Sequence, residues 1–280
     1  MNLASEIERN IAAALAEDVG TCDWTALLTP ENGRARATVI SRGDAVIVGR
    51  PWFDAVFQTL DAATKITWHI KEGAAVAPRT SLCTVEGSAR TLLTGERAAL
   101  NFLQLLSAVA TTTRQYVSAV AGTKASILDT RKTLPGLRVA QKYAVAMGGG
   151  MNHRMGLYDG ILIKENHIAA SGGVTAALTA ARKLAPAEVW IQIEVETLDQ
   201  LREALTAGAK MILLDNMSTT QMREAVAITA ERAKLEASGG ITIDNVRAIA
   251  ATGVDRISIG ALTKDVKAVD LSMRFETKKL

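Results

Sequence analysis

Residues 148–168 read GGGMNHRMGLYDGILIKENHI, and this stretch predicts the fold of the second half of the chain. A glycine-rich loop carrying His153 and Arg154 leads into a short apolar run at residues 161–163, and Lys164 follows directly. A strand-like run that places a charged residue at its carboxyl end is typical of a parallel sheet with a functional rim. Between Arg131 and Lys164 six lysines or arginines are opposed by one acid, which predicts an anion site.

Five other apolar runs repeat this arrangement along the second part of the chain. They are SILDT (126–130), VWIQIEVE (189–196), KMILLDN (210–216), KLEASGG (234–240) and DRISIGA (255–261). Helical, alanine-rich patterns lie between the runs, so the sequence predicts alternating strands and helices and a parallel sheet covered on its outside. Six units are two short of an eight-stranded barrel. We therefore expect an incomplete or smaller α/β barrel, with an open doubly wound sheet as the alternative.

The first part of the chain has a different pattern of apolar residues. Residues 1–20 place Leu3, Ile7, Ile11 and Leu15 on one helical face. The β-branched runs ATVISR, AVIVGR, ITWHI and TSLCTVEGSA predict an antiparallel sheet. A helical pattern then extends over residues 94–120 and is expected to bridge two domains.

Composition narrows the class of protein. With 280 residues, 48% of them hydrophobic, the chain can bury a substantial core. A net charge of +3 and the lack of a long basic run argue against nucleic-acid binding. Two cysteines without metal or redox spacing indicate reduced thiols. Neither a signal peptide nor an apolar run of membrane-spanning length is recognisable, so we expect a soluble, cytoplasmic protein that does not bind membranes.

Cations at the predicted strand ends are the first candidates for function. Arg131 and Lys132 follow the first apolar run, and His153 and Arg154 precede the second. Salt bridges to neighbouring helices, or a packing role for the histidine, are the structural alternatives. Anion binding is favoured because the planar guanidinium of arginine matches a carboxylate bidentately.

Carboxylates end the next two strands. Glu194 and Asp215 could balance the nearby cations, or they could hold sugar hydroxyls or a Mg²⁺ that bridges phosphates. Glu196 shares a strand face with Glu194 because side chains alternate. No His/Cys cluster has zinc spacing, and no Ser-His-Asp or Cys-His arrangement favours covalent catalysis.

Two glycine-containing loops complete the rim. Ser238, Gly239 and Gly240 precede a helix expected to begin near Thr242 or Asp244, and Gly260 follows the last strand. A plain turn is the alternative for the first loop. Phosphate-binding loops after the last two strands are common in α/β barrels, so the pair of loops predicts a phosphate site.

The motifs together resemble the quinolinate phosphoribosyltransferases. The matching stretches are EDVG, GERAALNFLQ, DTRKTLPGLR, MNHRMGLYDGILIKENHI, IEVE, LLDN, EASGGI and SIGALT, and they span nearly the whole chain. The resemblance implies an incomplete, about six-stranded parallel α/β barrel at 111–265 and a smaller N-terminal α/β sandwich domain at 1–110. Whether the tail, 266–280, returns to the first domain is open.

The activity implied is that of a decarboxylating pentosyltransferase of pyridine nucleotide biosynthesis. Quinolinate and phosphoribosyl pyrophosphate would give nicotinate mononucleotide, pyrophosphate and CO₂, with Mg²⁺, in de novo NAD synthesis. The resemblance also implies a homodimer, or a higher oligomer, with shared active sites.

Site residues are implied by motif. Lys132, Lys164, Glu194 and Asp215 would be catalytic, and Glu194 and Asp215 would hold the metal indirectly, through substrate phosphates. Substrate binding would fall to Arg97 from the other subunit, Thr130, Arg131, Lys132, His153, Arg154, Lys164, Glu194, Asp215, Ser238, Gly239, Gly240, Ile259, Gly260 and Ala261.

Two stretches depart from the family pattern. CDWTA stands where a Gly-Asp and a Thr pair are usual, and SAVAT where a glycine is common. Neither position carries the expected chemistry. The alternatives are a related phosphoribosyltransferase with another substrate, such as nicotinate or that of the molybdenum-transport-associated relatives, and a non-catalytic sensor of an anionic metabolite.

Overall fold

The structure is a computed structural model that describes residues 2–276, and the chain forms two compact units. Of the described residues, the first unit holds 2–112, Leu134–Gly149 and 265–276, and the second holds Thr113–Thr133 and Gly150–Lys264. The range expected for the barrel, 111–265, thus includes the segment Leu134–Gly149, which belongs to the first unit. The end of the expected tail, residues 277–280, lies outside the described residues.

The first unit combines helices with two antiparallel sheets. The α-helices that lie wholly within it are α1 (Leu3–Val19), α2 (Arg50–Leu60) and α4 (Arg138–Met147). One sheet has the order β12-β1-β5-β3, with β1 (Arg34–Ser41), β3 (Lys65–Trp68), β5 (Ser81–Ser88) and β12 (Leu271–Phe275). The other pairs β2 (Ala45–Ile47) with β4 (Ala74–Val76). The single predicted sheet is therefore two, because AVIVGR pairs with β4 alone.

Helix α2 carries much of the first core and was absent from the sequence prediction. Pro51 stands at its start, where a missing N–H costs nothing. Trp52, Phe53, Val56 and Phe57 are fully buried along one face. The long helix predicted at 94–120 is α3 (Ala89–Ala119), which continues from first-unit residues into second-unit residues.

The second unit contains the predicted six-stranded parallel sheet. Its strands are β6 (Ser126–Leu128), β7 (Gly160–Ile163), β8 (Trp190–Val195), β9 (Met211–Asp215), β10 (Lys234–Ser238) and β11 (Arg256–Ser258). The order is β6-β11-β10-β9-β8-β7, so the strands follow the chain consecutively and the first pairs with the last. A doubly wound sheet requires a reversal of order, which this sheet lacks. The fold is an incomplete α/β barrel with a seam between β6 and β7, where Leu128 and Met151 form an isolated bridge.

Helices follow the strands of the second unit. They are α5 (Glu165–Ser171), α6 (Val174–Leu184), α7 (Leu198–Thr206), α8 (Thr219–Thr229), α9 (Val246–Ala250) and α10 (Ala261–Lys264). Among residues 2–276, none of the helices combines the length and the hydropathy that a membrane crossing requires.

The helix after the first predicted phosphate loop begins later than expected. The sequence predicts a start near Thr242 or Asp244, but α9 begins at Val246. The Asn245 side chain accepts the N–H of Thr242 at 2.9 Å and donates to the carbonyl of Gly240 at 3.0 Å. These bonds close a separate turn ahead of the helix, which explains the delay.

Candidate active site

The carboxyl ends of the six parallel strands surround a cavity of about 300 Å³ in the second unit. Eight of the predicted site residues line it, namely Thr130, Arg131, Lys132, His153, Arg154, Lys164, Glu194 and Ser238. The other lining residues are Leu162, Leu213, Glu236 and Ser258. Four cations and two carboxylates thus share one partly apolar pocket of a size suited to a small anionic ligand.

Arg154 is placed by a loop that is itself tied down by two acids. Asp159 accepts the N–H groups of Met155 and Gly156 at 2.7 and 2.9 Å, and the buried Asp129 accepts the N–H of His153 at 2.8 Å. The Arg154 guanidinium donates from Nη1 to the carbonyl of Gly160 at 2.9 Å. The glycine-rich loop therefore presents its arginine from a fixed backbone.

The two arginines of the cavity are close enough to affect each other. Burial and the positive charge of Arg131 lower the pKa of Arg154, while Asp159 opposes that change. Arginine keeps its charge in proteins, so the shift records the cost of holding two cations together. A ligand with two carboxylates would relieve that cost by pairing with both.

His153 is held through both ring nitrogens. Its Nδ1 accepts the N–H of Arg154 at 2.8 Å, and its Nε2 lies 3.0 Å from Oε1 of Gln192. Gln192 in turn donates to Oε2 of Glu236 at 3.1 Å, and the Trp190 ring packs edge-on against the imidazole. The ring is fixed by the protein from three sides.

Glu194 lies at the end of β8 beside a lysine and a second acid. The residue is 8% exposed, and Lys164 Nζ is 3.6 Å from its Oε2. Burial raises the pKa of Glu194, the charges of Asp215 and Glu165 raise it further, and Lys164 opposes the rise. A group of this kind gains from a cation placed between the two acids. Glu196, past the strand end, is exposed and does not line the cavity.

Lys132 is positioned by close packing against a glycine. The Thr130 hydroxyl accepts the N–H of Lys132 at 3.0 Å, and the Lys132 carbonyl accepts from the Thr263 hydroxyl at 2.9 Å. A Cβ on Gly260 would come within 2.9 Å of the Lys132 Cδ. A side chain at Gly260 would therefore require the Lys132 side chain to shift.

The loop after β10 requires its glycines for backbone reasons. Gly239 has a φ of +99° and Gly240 a φ of +59°. A Cβ on Gly239 would also meet Oδ1 of Asn216 at 2.0 Å, whereas one on Gly240 would meet nothing within 4 Å. The loop thus packs closely against the residue that follows Asp215.

Several predicted site residues lie outside the cavity wall. Arg97 is exposed on α3 in the first unit. The residues of the strand-end loops that do not line the cavity are Asp215, Gly239, Gly240, Ile259, Gly260 and Ala261. Asp215 nevertheless acts on Glu194 through its charge.

The sequence reasoning missed the buried polar residues behind the cations. Glu236 and Gln192 are each 1% exposed, and both interrupt otherwise apolar strands. That interruption was the available signal, since a polar residue inside a buried strand requires a partner. Glu236 also shares a strand face with Ser238, and Gln192 with Glu194, because side chains alternate.

The two carboxylates at the strand ends suit a magnesium ion whose coordination sphere substrate phosphates would complete. The described part of the chain contains no cluster of three or more His, Cys, Asp or Glu side chains arranged to hold a metal. Glu194 and Asp215 provide two oxygen donors. Mg²⁺ is usually held by one or two carboxylates together with substrate phosphates and water, so a pair suffices.

A cavity of about 360 Å³ lies in the first unit, bordered by α1, α3 and residues 135–137. Glu17 and Asp18 of EDVG and Ala98 and Asn101 of GERAALN line it. The EDVG and GERAALN motifs therefore contribute side chains to the same cavity of the first unit.

Comparisons with known proteins agree over most of the chain. Residues 23–107 match the family model described as quinolinate phosphoribosyl transferase, N-terminal domain, and residues 109–274 match the corresponding C-terminal domain. The probable nicotinate-nucleotide pyrophosphorylase [carboxylating] of Bacillus subtilis is 42% identical, covering 92% of this chain and 89% of its own. That of Synechocystis is also 42% identical, covering 93% and 89%. The solved nicotinate-nucleotide pyrophosphorylase of Francisella tularensis superposes with a TM-score of 0.95 at 42% identity, covering 99% and 98%.

Proposed function

The chain belongs to the quinolinate phosphoribosyltransferase family, and we propose that the cavity at the strand ends is where it carries out the family's reaction. It is a decarboxylating phosphoribosyltransferase of de novo NAD biosynthesis. The ring nitrogen of quinolinate forms a bond to C1′ of phosphoribosyl pyrophosphate as the bond from C1′ to pyrophosphate breaks. The carboxylate next to that nitrogen leaves as CO₂, its electron pair passes to the ring, and a proton takes its place.

The observation that carries the site assignment is the convergence of four cations on one cavity. Arg131 and Arg154 lie close enough for one charge to lower the pKa of the other, and Lys132 and Lys164 line the same walls. Two adjacent carboxylates on a flat ring match such an arrangement. Leu162 and Leu213 add apolar surface on which an aromatic ring can lie. We assign quinolinate to this cavity.

Decarboxylation needs an electron sink and a fixed substrate rather than a covalent residue. Once the glycosidic bond has formed, the pyridinium nitrogen draws the electron pair from the adjacent C–C bond. The cations hold the retained carboxylate and so keep the ring in place while CO₂ departs. Burial of the pocket strengthens these charge interactions relative to water.

Glu194 and Asp215 are assigned to the sugar and, through its phosphates, to Mg²⁺. When bound, the metal would stabilise negative charge on departing pyrophosphate. The raised pKa of Glu194 supports this role, because a buried carboxylate that also feels the charge of a second acid favours a cation or hydroxyl donors beside it. Ser238 and the glycine loops after β10 and β11 are assigned to the 5′-phosphate.

We further propose a homodimer in which Arg97 completes the partner's cavity. Arg97 is exposed, and the motif residues of the first unit border a cavity of their own. Trp24 and Leu28 of the same unit are 76% and 84% exposed, which is unusual for large apolar side chains outside an interface. We also place the enzyme in the cytoplasm, because the free thiols of Cys22 and Cys83 suit a reducing compartment.

The direct test is incubation with quinolinate, phosphoribosyl pyrophosphate and Mg²⁺, following both CO₂ release and nicotinate mononucleotide. Equimolar CO₂ and nucleotide are expected. A parallel incubation replaces quinolinate with nicotinate, which lacks the carboxylate that is lost. Nucleotide from nicotinate but not from quinolinate would assign the chain to the nicotinate-using relatives, and binding of quinolinate without turnover would favour the sensor.

A further inference from the structure

We propose that Glu236 is a positioning residue that fixes Arg154 in the substrate cavity, acting through Gln192 and His153. The inference rests on the proposed binding of a quinolinate carboxylate by Arg154. The four residues form a continuous chain of contacts from strand β10, through β8, to the loop before β7. Glu236 and Gln192 have no part in the proposed binding of quinolinate, of the sugar or of the phosphates.

The contacts fix which nitrogen of His153 carries the proton. Nδ1 accepts the N–H of Arg154 and is therefore unprotonated, so the proton lies on Nε2. Nε2 then donates to Oε1 of Gln192 at 3.0 Å. The amide nitrogen of Gln192 is left to donate to Oε2 of Glu236 at 3.1 Å, so each donor along the chain meets an acceptor.

The negative charge of Glu236 favours this arrangement of hydrogen-bond donors and acceptors. Its second oxygen, Oε1, is buried without a hydrogen-bond partner among the described residues and lies 3.7 Å from Nε2 of His153. A negative charge near Nε2–H favours that tautomer and makes Nδ1 a better acceptor, as carboxylates do behind metal-binding histidines. The bond from Arg154 N–H to His153 is thereby strengthened.

The position of Arg154 needs this support because its neighbour repels it. Arg131 acts on Arg154 through its like charge, and the Arg154 guanidinium has the Gly160 carbonyl as a partner at 2.9 Å. The backbone of Arg154 is held by His153. If that hold weakens, the two arginines separate and no longer match a pair of adjacent carboxylates.

A buried carboxylate with an unpaired oxygen costs stability, which provides a way to separate positioning from folding. Glu236 is 1% exposed, and replacement by glutamine keeps its shape while removing the charge. The Glu236→Gln variant should therefore melt no lower than the wild type and yet bind quinolinate less well. A residue with a purely structural role would show the opposite combination.

The experiment measures quinolinate and phosphoribosyl pyrophosphate affinities by calorimetry, and the His153 tautomer by ¹⁵N spectra of histidine-labelled protein. In Glu236→Gln, quinolinate affinity should fall about tenfold, the magnitude typical for loss of a supporting partner, with phosphoribosyl pyrophosphate affinity within about twofold of the wild type. The His153 spectrum, assigned with a His153→Asn variant, should change from the pure Nε2-protonated form to a mixture. Glu224→Gln, which removes an exposed carboxylate on α8, is the matched control and should change none of these.

A second variant tests the path itself. In Gln192→Glu combined with Glu236→Gln, a carboxylate contacts Nε2 of His153 directly, so the tautomer and quinolinate affinity should return towards the wild type. If Glu236→Gln does not fold, Gln192→Met interrupts the chain at its middle and should produce the same selective loss. Unchanged quinolinate affinity with an unchanged tautomer, or an equal fall in both affinities with the tautomer retained, would overturn the proposal. Wild-type protein that neither binds nor converts quinolinate would instead contradict the proposed function.

Discussion

Lys164 Nζ lies 3.6 Å from Glu194 Oε2, so the lysine that follows β7 and the acid near the end of β8 form an ion pair at the rim of the cavity. The ion pair does not fully offset the effects that disfavour the charged form of Glu194. Burial of Glu194 and the nearby Asp215 raise its pKa in spite of Lys164. The rim of the cavity therefore contains a carboxylate that the fold alone does not favour in its charged form.

Replacing Glu194 with glutamine should stabilise the protein near neutral pH and abolish turnover. Because the folded-state pKa is raised, the contribution of Glu194 to stability is fully present below the unfolded pKa and is lost as pH rises through the folded pKa. Glutamine resembles the protonated form at every pH. The variant should melt above the wild type at about pH 7.5 and level with it in acid, by calorimetry. A lower melting temperature at neutral pH would contradict the prediction.

Truncation of Arg131 should remove most of the affinity for quinolinate. In Arg131→Ala the substrate carboxylates lose a charged partner in a partly apolar cavity, which costs about 2–5 kcal/mol of binding free energy. Titration calorimetry provides the measurement. Arg223→Ala, which removes an exposed arginine on α8, is the control and should bind as the wild type does. Unchanged affinity in Arg131→Ala would mean that the carboxylates bind elsewhere.

Alanine at Gly239 and at Gly240 should have different effects. Both positions have positive φ, so both variants carry a backbone penalty of about 1–2 kcal/mol. Only at Gly239 would the new Cβ also collide with Asn216. We expect Gly239→Ala to lose more stability in denaturant and to bind phosphoribosyl pyrophosphate more weakly. Equal losses would show that the packing against Asn216 does not matter.

Replacing Asp215 with asparagine should raise the magnesium requirement. The variant keeps one of two proposed carboxylates, so the Mg²⁺ concentration for half-maximal rate should rise by about an order of magnitude. Excess Mg²⁺ should restore much of the rate by mass action, and EDTA should abolish it in both proteins. Asp199→Asn, at an exposed position of α7, should leave the requirement unchanged. A rate defect that Mg²⁺ does not relieve would exclude a metal-related role.

Mixing two inactive variants should restore activity if active sites are shared. Arg97→Ala and Arg131→Ala each disable every site in their own homodimers. After subunit exchange, a mixed dimer has one site with both arginines intact, so an equimolar mixture should recover about a quarter of the sites. Initial rates before and after exchange provide the readout. No recovery, with mixed dimers demonstrated by mass spectrometry, would place Arg97 in the cavity of its own subunit, and an active Arg97→Ala homodimer would place it outside any cavity.

Much of the second unit follows from its sequence because buried parallel strands are apolar throughout and end in polar residues. The runs that contain Ile163, Ile193 and Leu214 became β7, β8 and β9, and the side chains at their ends meet because carboxyl ends of parallel strands share one edge. That geometry placed Arg131 and Lys164 at one edge, whereas Arg154 lies in the loop before β7 and its place beside Arg131 does not follow from it. Helix α2 was missed, although Pro51 and the spacing of its buried aromatic residues gave a helical signal.

The interior of the site was less accessible to sequence reasoning. Glu236 could be placed on a strand, but nothing local shows that Gln192 of a distant strand would reach it at 3.1 Å. Nor does the sequence show that the ring nitrogens of His153 are engaged by protein groups. Such contacts depend on strand register across the sheet, where a shift of one residue reverses the direction of every side chain.

The pairing of the first barrel strand with the last has a consequence for the order of folding. Ser126 of β6 pairs with Arg256 of β11, so this contact closes nearly the whole second unit into one loop. Contacts between residues so far apart in sequence carry a large entropic cost and tend to form late. Thr130, Arg131 and Lys132 follow directly after β6. The chain should therefore acquire its affinity for quinolinate only in the final step of folding, and the ligand should slow unfolding by holding β6 in its place.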